Sequence, residues 1–411
     1  MFTATADLIL PTTTTGSWPR PAWYTETLHG RSISKAMQDM PFREQFTDAL
    51  SAMLDEQERA GLDILTHGDY FHDTYVGGQG WISYVLERWK GLEGDHQKLY
   101  EELPAFGPGE ILNEVWSAWR WPQVTGKVEP DPETPLEYAK IWRLAQARTS
   151  KPVMFGTVSS QQFPMFLDIN GAPYDDDDRE QMIWDMAVAM NEELRALAAA
   201  GCKVIQIEEP LLHFVSSYHA ENTRLLDVLV DAFNREVEGL DGVEVWVHTC
   251  WGSANMQRGI DRAGTYANCV ELYLERINAD VWTIETDGHV EEIAELLKPY
   301  KGSMKRKVAL GVVSHRTLQV ETAEEVAATV RTALDAVEPD KLVLTSDCGF
   351  GRGGAGRLIA LYKSAATARG ANIVRRELGV EQRPVPIENP QLQADNFVTS
   401  ESELFGGLVG H

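Results

Sequence analysis

Cysteine is scarce: Cys202, Cys250, Cys269 and Cys348 are the four thiols in 411 residues. So few and so scattered cysteines exclude a secreted disulfide scaffold, and a chain of this length can bury a core without such staples. Long apolar runs are lacking as well. No stretch of about 20 apolar residues reads as a transmembrane helix. Residues 1–11 carry neither the basic start nor the apolar run of a signal peptide. A cytoplasmic protein with no membrane partner is the expectation. Positive charge is the third shortage, since 37 Lys and Arg stand against 62 Asp and Glu, a net charge of −25. Phosphate backbones need clustered cations, so this balance argues against a nucleic-acid partner. The acidity otherwise describes a solvated surface.

What is present is an alternation. Short β-branched runs at residues 152–156, 203–207, 243–247, 280–284, 308–313 and 341–345 are separated by amphipathic helical patterns. The helical stretches are 178–200, 222–237, 290–297 and 323–337, with apolar residues at three-to-four spacing. Upstream, 12–17 and 64–67 read as strands and 34–60 as a helix. Repeated strand–helix units of this kind form parallel sheets. About eight such units predict a single (β/α)₈ barrel spanning residues 1–411 as one domain. Two stretches fall outside the repeat. Residues 77–122 hold Trp81, Trp89, Trp116, Trp119 and Trp121 and read as an excursion over the barrel mouth. The tail after Gly379 contains Pro384, Pro386 and Pro390 and reads as an extended wrap. The acidic run Asp175–Asp178 reads as a helix N-terminus.

The chemistry-bearing residues sit at the C-terminal ends of the predicted strands, the face on which barrel active sites are built. One strand runs into His248-Thr249-Cys250, another into Glu285, a third into Asp347-Cys348-Gly349. An imidazole, two thiols and a carboxylate match the ligand preferences of Zn²⁺. His248 and Cys250 are two apart, so both face the same way on an extended strand end. Any one of these residues alone is a weak signal, and a lone buried cysteine is usually a small hydrophobe. Cys202 and Cys269 are read as structural.

Taken together, the motifs resemble the cobalamin-independent methionine synthase family, over nearly the whole chain and specifically in its catalytic C-terminal barrel. They are Thr13-Thr14-Thr15-Gly16-Ser17-Trp18-Pro19, Gly61-Leu62-Asp63, His67-Gly68-Asp69, Gln206-Ile207-Glu208-Glu209-Pro210, His248-Thr249-Cys250, Thr283-Ile284-Glu285-Thr286, His315 and Asp347-Cys348-Gly349. The resemblance implies Zn²⁺ as cofactor, held by His248, Cys250, Glu285 and Cys348. It implies that Gly16 and Ser17 bind the carboxylate of an amino-acid thiol, and that Asp69 and Glu208 read its amino group. It implies His315 as the group that delivers a proton. The activity implied is methylation of homocysteine to methionine by an activated thiolate, the thiolate being the nucleophilic form of a thiol. Glu285 is the ligand expected to yield when substrate sulfur arrives.

The chain also departs from the family. A second, N-terminal barrel is lacking, and the segment Phe155–Met165 has no clear counterpart to the family's folate-stacking tryptophan. Asp69 and Glu208 stand where the family usually has Glu and Asp. The methyl donor is therefore left open, with a simpler donor or a donor-carrying partner protein as the alternatives to folate. Two other readings are weighed: an epoxyalkane:coenzyme M transferase, in which zinc activates a sulfonate thiol, and a non-catalytic protein with a structural zinc. A sulfonate thiol would leave Asp69 and Glu208 without a cationic partner, whereas structural zinc sites tend to be closed and cysteine-rich. The run Gly349-Phe350-Gly351-Arg352-Gly353-Gly354 lacks a phosphate-loop lysine and is read as a tight passage beside Cys348, with Arg352 available to an anionic group. His67 and His72 are read as structural partners of Asp69.

Overall fold

The structure, a computed structural model, describes residues 2–28, 30–72, 80–93, 122–169, 174, 179–251, 265–352 and 356–387. Nine strands are described. They are β1 (Leu65–Thr66), β2 (Trp89–Glu93), β3 (Gln123–Pro130), β4 (Val153–Val158), β5 (Val204–Glu208), β6 (Glu244–Thr249), β7 (Val281–Ile284), β8 (Lys307–Val313) and β9 (Leu342–Ser346). Seven form one parallel sheet in the order β1-β4-β5-β6-β7-β8-β9. Apart from β2 and β3, neighbours in the sheet are neighbours in sequence, as a barrel wound by right-handed crossovers requires.

An extended segment at residues 11–13 joins the two edges. Thr13 N–H donates to the Leu344 carbonyl at 2.9 Å and Leu344 N–H to the Pro11 carbonyl at 2.8 Å. On its other side, Asp63 and Ile64 N–H both donate to the Thr12 carbonyl, at 2.9 and 3.1 Å. The seven strands and this segment make the eight staves of a (β/α)₈-type barrel, as the alternation predicts.

Barrel strands are covered on both faces, which explains why they read as nearly continuous apolar runs. β6, β7, β8 and β9 are buried along their whole length. Ile64, Met154, Val204, Trp246, Val281, Ala309 and Val343, one from each stave of the sheet, pack together as an inner layer. Side chains alternate along a strand. Two residues on from this layer come Gln206, His248 and Thr283, and four on come Glu208, Cys250 and Glu285. The same parity that fills the barrel floor with hydrocarbon therefore aims the polar residues into the mouth. Phe2 and Ala4 pack under the inner layer. There the buried Glu244 carboxylate accepts from Thr3 and Thr5 N–H at 2.6 and 2.7 Å and closes the floor.

The outer helices follow the predicted stretches closely: Arg179–Ala199, Thr223–Glu236, Val290–Leu297 and Ala323–Leu334. The last begins with a reciprocal capping box between Thr322 and Glu325. The single helix expected at 34–60 is two, Ile33–Ala36 and Met40–Arg59. Pro41 is the reason, since proline is accommodated in a first helical turn and not in an interior. In the longer helix Phe42, Phe46, Ala49, Leu50, Met53 and Leu54 form the buried stripe.

The tryptophan-rich excursion contains a helix, Gly80–Leu86, and strand β2, which pairs antiparallel with β3 just beyond the excursion's end. The pair lies apart from the barrel sheet, and Trp89 packs edge-on against Phe163, 5.6 Å between ring centroids. Residues 94–121, with Trp116, Trp119 and Trp121, lie outside the described residues, as does the run Asp175–Asp178. The tail runs extended to Ile387, whose N–H donates to the Arg59 carbonyl at 2.9 Å. Residues 388–411, including Pro390, lie outside the described residues. Among the described residues, no helix is long and apolar enough to cross a membrane.

Candidate metal centre and its cleft

Strands β5 and β6 are paired so that Glu208 lies directly opposite His248. From there Glu208 Oε1 is 3.7 Å from His248 Nε2 and 3.2 Å from Cys250 Sγ. Cys348, on the turn after β9, completes the group. One ligand atom from each of Glu208, His248, Cys250 and Cys348 lies within 4.8 Å of the others. Donors around a tetrahedral ion with bonds of about 2.0–2.3 Å are separated by about 3.3–3.8 Å, so one ion can reach all four after side-chain shifts of about 1 Å.

Electrostatics at the centre favour a cation. The Cys348 thiol is held well below its usual value by a hydrogen bond from Cys250, against burial, and with help from His248. The Cys250 thiol is pushed up by that same hydrogen bond, by burial and by Glu208. Burial would lower His248, yet Glu208 and Cys348 raise it to about 9. Neither ring nitrogen of His248 makes a well-formed hydrogen bond among the described residues, although the ring is fully buried. A buried, sulfur-rich, negatively biased cluster with an imidazole left open is what a soft-to-borderline divalent ion such as zinc fits.

The fourth residue expected by resemblance, Glu285, lies beside this group. It is 0% exposed at the end of β7. Its Oε1 accepts from Arg316 Nε and Nη2 at 2.8 and 2.6 Å, and its Oε2 from Trp251 N–H at 2.5 Å. Burial and nearby Asp347 push the Glu285 carboxyl up, and the Arg316 guanidinium opposes them.

The centre opens into a cleft lined by Gly16, Ser17, Asp69, His72, Gly156, Thr157, Gln206, Glu208, Cys348 and Gly349. Gly16, Ser17, Asp69 and Glu208 thus share one wall system, with Cys348 reaching in from the metal side. Gly16 adopts φ +61° and its N–H donates to Gln206 Oε1 at 3.3 Å. Asp69 adopts φ +56°, an uncommon conformation for a residue with a Cβ. His67 braces it. Burial lowers His67 to about 4, so the ring is neutral and carries one N–H. Its Nε2 lies 3.1 Å from Gly156 N, and its Nδ1 lies 2.9 Å from Asp69 N and 3.3 Å from Asp69 Oδ1. His67 is therefore a structural partner of Asp69, while His72 lines the cleft itself.

The glycines after Cys348 serve close approach. A Cβ on Gly349 would stand 2.6 Å from Ser17 N and 2.7 Å from its Oγ, and one on Gly351 2.7 Å from that Oγ. The side chain of Arg352 lies outside what is described. His315 is buried, with neither ring nitrogen hydrogen-bonded among the described residues, and burial lowers it to about 4. Cys202 and Cys269 are buried away from the four-residue group, their thiols pushed up by burial.

Gln206, Thr157 and Arg316 are the residues that motif reading passed over. Gln206 could have been found from its spacing, since it precedes Glu208 by two on the same strand. Arg316 shows only as a charge beside His315, and its partner is visible only in three dimensions.

A barrel whose mouth gathers imidazole, thiols and carboxylates beside a polar cleft has the donor set of a metal site, and comparison with known proteins narrows the class. Residues 10–79 and 117–367 match the family model of the cobalamin-independent synthase catalytic domain, and the chain belongs to that family. It is 28% identical over 375 residues to a methionine synthase of Saccharolobus solfataricus, covering 90% of this chain and 96% of that one. A methionine synthase of Sulfurisphaera tokodaii is 27% identical over 373 residues, covering 90% and 94%. Among solved structures, a B12-independent methionine synthase from Shewanella sp. W3-18-1 in complex with selenomethionine superposes with a TM-score of 0.67 at 26% identity, covering 90% of this chain and 99% of that one. A methyltransferase from Methanosarcina mazei shares the fold, with a TM-score of 0.52 at 15% identity over 90% and 96%.

Proposed function

We propose that this chain, acting as one barrel unit, is a zinc-dependent methyltransferase that converts homocysteine to methionine. The observation that carries the reading is the junction of two features. The Glu208, His248, Cys250 and Cys348 cluster opens directly onto a cleft bearing Gly16, Ser17 and Asp69. The relatives add support, because methionine synthases are matched over 94–96% of their length by a chain with one barrel. A second barrel is therefore not required for the name those relatives carry.

His248, Cys250 and Cys348 would hold the ion, with Glu208 or Glu285 as the carboxylate. A bound zinc ion would supply Lewis acidity that lowers the pKa of a substrate thiol, so that its proton is released to solvent at neutral pH. The rest falls to the protein. Backbone N–H groups at Gly16 and Ser17 hold the substrate carboxylate, Gly16 N–H exchanging its long 3.3 Å bond to Gln206 Oε1 for it. Asp69, braced by His67, pairs with the ammonium, and Glu208 adds a second negative group nearby. Sulfur is thereby turned toward the cluster, with its reach set by the two-carbon spacer of homocysteine. His315 would relay a proton to the departing group: burial keeps the resting ring neutral, and it takes a proton from solvent as negative charge develops beside it.

Cobalt(II) substitution tests this. A sulfur-to-cobalt charge-transfer band should appear on adding homocysteine and not on adding 2-mercaptoethanesulfonate, which has no ammonium for Asp69. Asp69→Asn should raise the homocysteine concentration needed by at least about 10-fold, the scale of a lost charge-assisted hydrogen bond. A band with the sulfonate thiol alone would move the reading to epoxide-opening chemistry. No band with any thiol would mean the centre is closed to substrate.

A further inference from the structure

Glu285 and Arg316 form the most complete ion pair in the barrel mouth, and metal binding by itself gives no reason for it. The guanidinium donates twice to one carboxylate oxygen, at 2.8 and 2.6 Å, while Trp251 N–H donates to the other. Three donors leave this buried carboxylate well satisfied without any metal contact. The two ends of the pair are fixed independently. Behind Glu285, Thr286 and Asp287 N–H donate to Asp347 Oδ1 at 2.8 and 3.2 Å, which ties the turn to the residue preceding Cys348. Around Arg316, Ser314 N–H donates to Glu321 Oε1 at 2.8 Å, and the fully buried Lys363 ammonium holds Glu321 Oε2 at 2.8 Å. Arg316 also approaches Asp287 at 3.5 Å. It is thus held in place from below and aimed at Glu285 from above.

We propose that Arg316 is a positioning residue that holds Glu285 away from the His248, Cys250 and Cys348 donors, reserving a coordination position for the substrate's sulfur. The proposal rests on the zinc–thiol reading above. Without the guanidinium, the Glu285 carboxylate keeps only the Trp251 N–H as partner among the described residues, and pairing with the ion becomes its best remaining option. A further protein carboxylate would then compete with the incoming thiol. The pair sets a balance: tight enough to release the position, yet built on a neighbour that can give the carboxylate back when product leaves.

The experiment compares cobalt(II) affinity and thiol affinity in wild type, Arg316→Gln, Arg316→Lys, Glu285→Gln and the Arg316→Gln/Glu285→Gln double variant, reading the d–d and charge-transfer bands. Arg316→Gln should bind cobalt more tightly and homocysteine more weakly, each by about 10-fold or more, the scale on which residues behind a ligand tune a metal site. Arg316→Lys should restore part of both. In the Glu285→Gln background the Arg316 substitution should change neither, because there is no carboxylate left to hold. If Arg316→Gln shifts cobalt affinity equally in both backgrounds, the guanidinium acts only as a nearby positive charge and the proposal is overturned. It is also overturned if wild type binds cobalt and thiol while Arg316→Gln and Arg316→Lys match it within twofold; the zinc reading then stands. If wild type binds no cobalt or answers to no thiol, the zinc reading itself fails and takes this proposal with it.

Discussion

Glu208 and His248 face each other across the β5–β6 register, and the Glu208 carboxylate reaches both His248 Nε2, at 3.7 Å, and Cys250 Sγ, at 3.2 Å. A residue that resemblance places at the substrate's amino group thus lies within the candidate metal-ligating group itself. Its position on the rim borders both that group and the cleft.

Substitutions should separate these roles. Cys348→Ser or His248→Ala should strip the metal and lower kcat/KM by more than about 1,000-fold, since a structural or catalytic zinc site rarely survives loss of one of its ligands. Glu208→Gln should keep measurable metal while raising KM. Metal content by elemental analysis, beside steady-state kinetics with homocysteine, checks this. Full metal occupancy in Cys348→Ser would remove the centre from the argument.

A second expectation concerns pH and stability. Glu236 is fully buried, accepts from Ser160 N–H at 2.9 Å and from its hydroxyl at 2.6 Å, and is pushed up to about 7 by burial from 4.5. A carboxyl whose folded value is raised binds its proton more tightly when folded. Its stabilising effect is complete below about pH 4.5 and is lost as pH rises through about 7. The span of about 2.5 units corresponds to about 3 kcal/mol. Glu236→Gln, which keeps the acceptor and removes the charge, should flatten the stability profile between pH 4.5 and 7. Urea unfolding midpoints across that window measure it, and an unchanged slope would contradict the assignment.

The third expectation is steric. A methyl group on Gly349 would fall 2.6 Å from Ser17 N. Gly349→Ala should therefore displace the Gly16–Ser17 backbone, costing about 1–3 kcal/mol in stability. It should weaken homocysteine binding more than metal binding, because the displaced donors face the substrate carboxylate. Calorimetric titration of metal and of thiol, done separately, distinguishes the two. Equal losses in both would mean that the whole mouth has moved.

Much of the fold was legible in advance because it rests on local periodicity. The apolar runs that became β4 to β9, and helices such as Val290–Leu297 and Ala323–Leu334, follow from spacing that survives any tertiary context. The β2–β3 pair was hidden because its burial alternates irregularly and its partner strand lies some 30 residues away, beyond the reach of a local pattern. Pro41 was legible as a break in retrospect, since its effect is intrinsic to the residue.

The sequence by itself determined which chemical groups are present and which stave carries each. Parity along a strand sends His248 and Cys250 the same way, and strand ends in a barrel converge on one face. Only the tertiary structure decided which carboxylate joins them. Glu208 and Glu285 end the two staves that flank β6, and in sequence both are acids at strand ends. Arg316 comes from a third strand's loop and captures one of the two. That choice depends on a buried charge pair formed across the barrel mouth, an energy that exists only once the staves are closed.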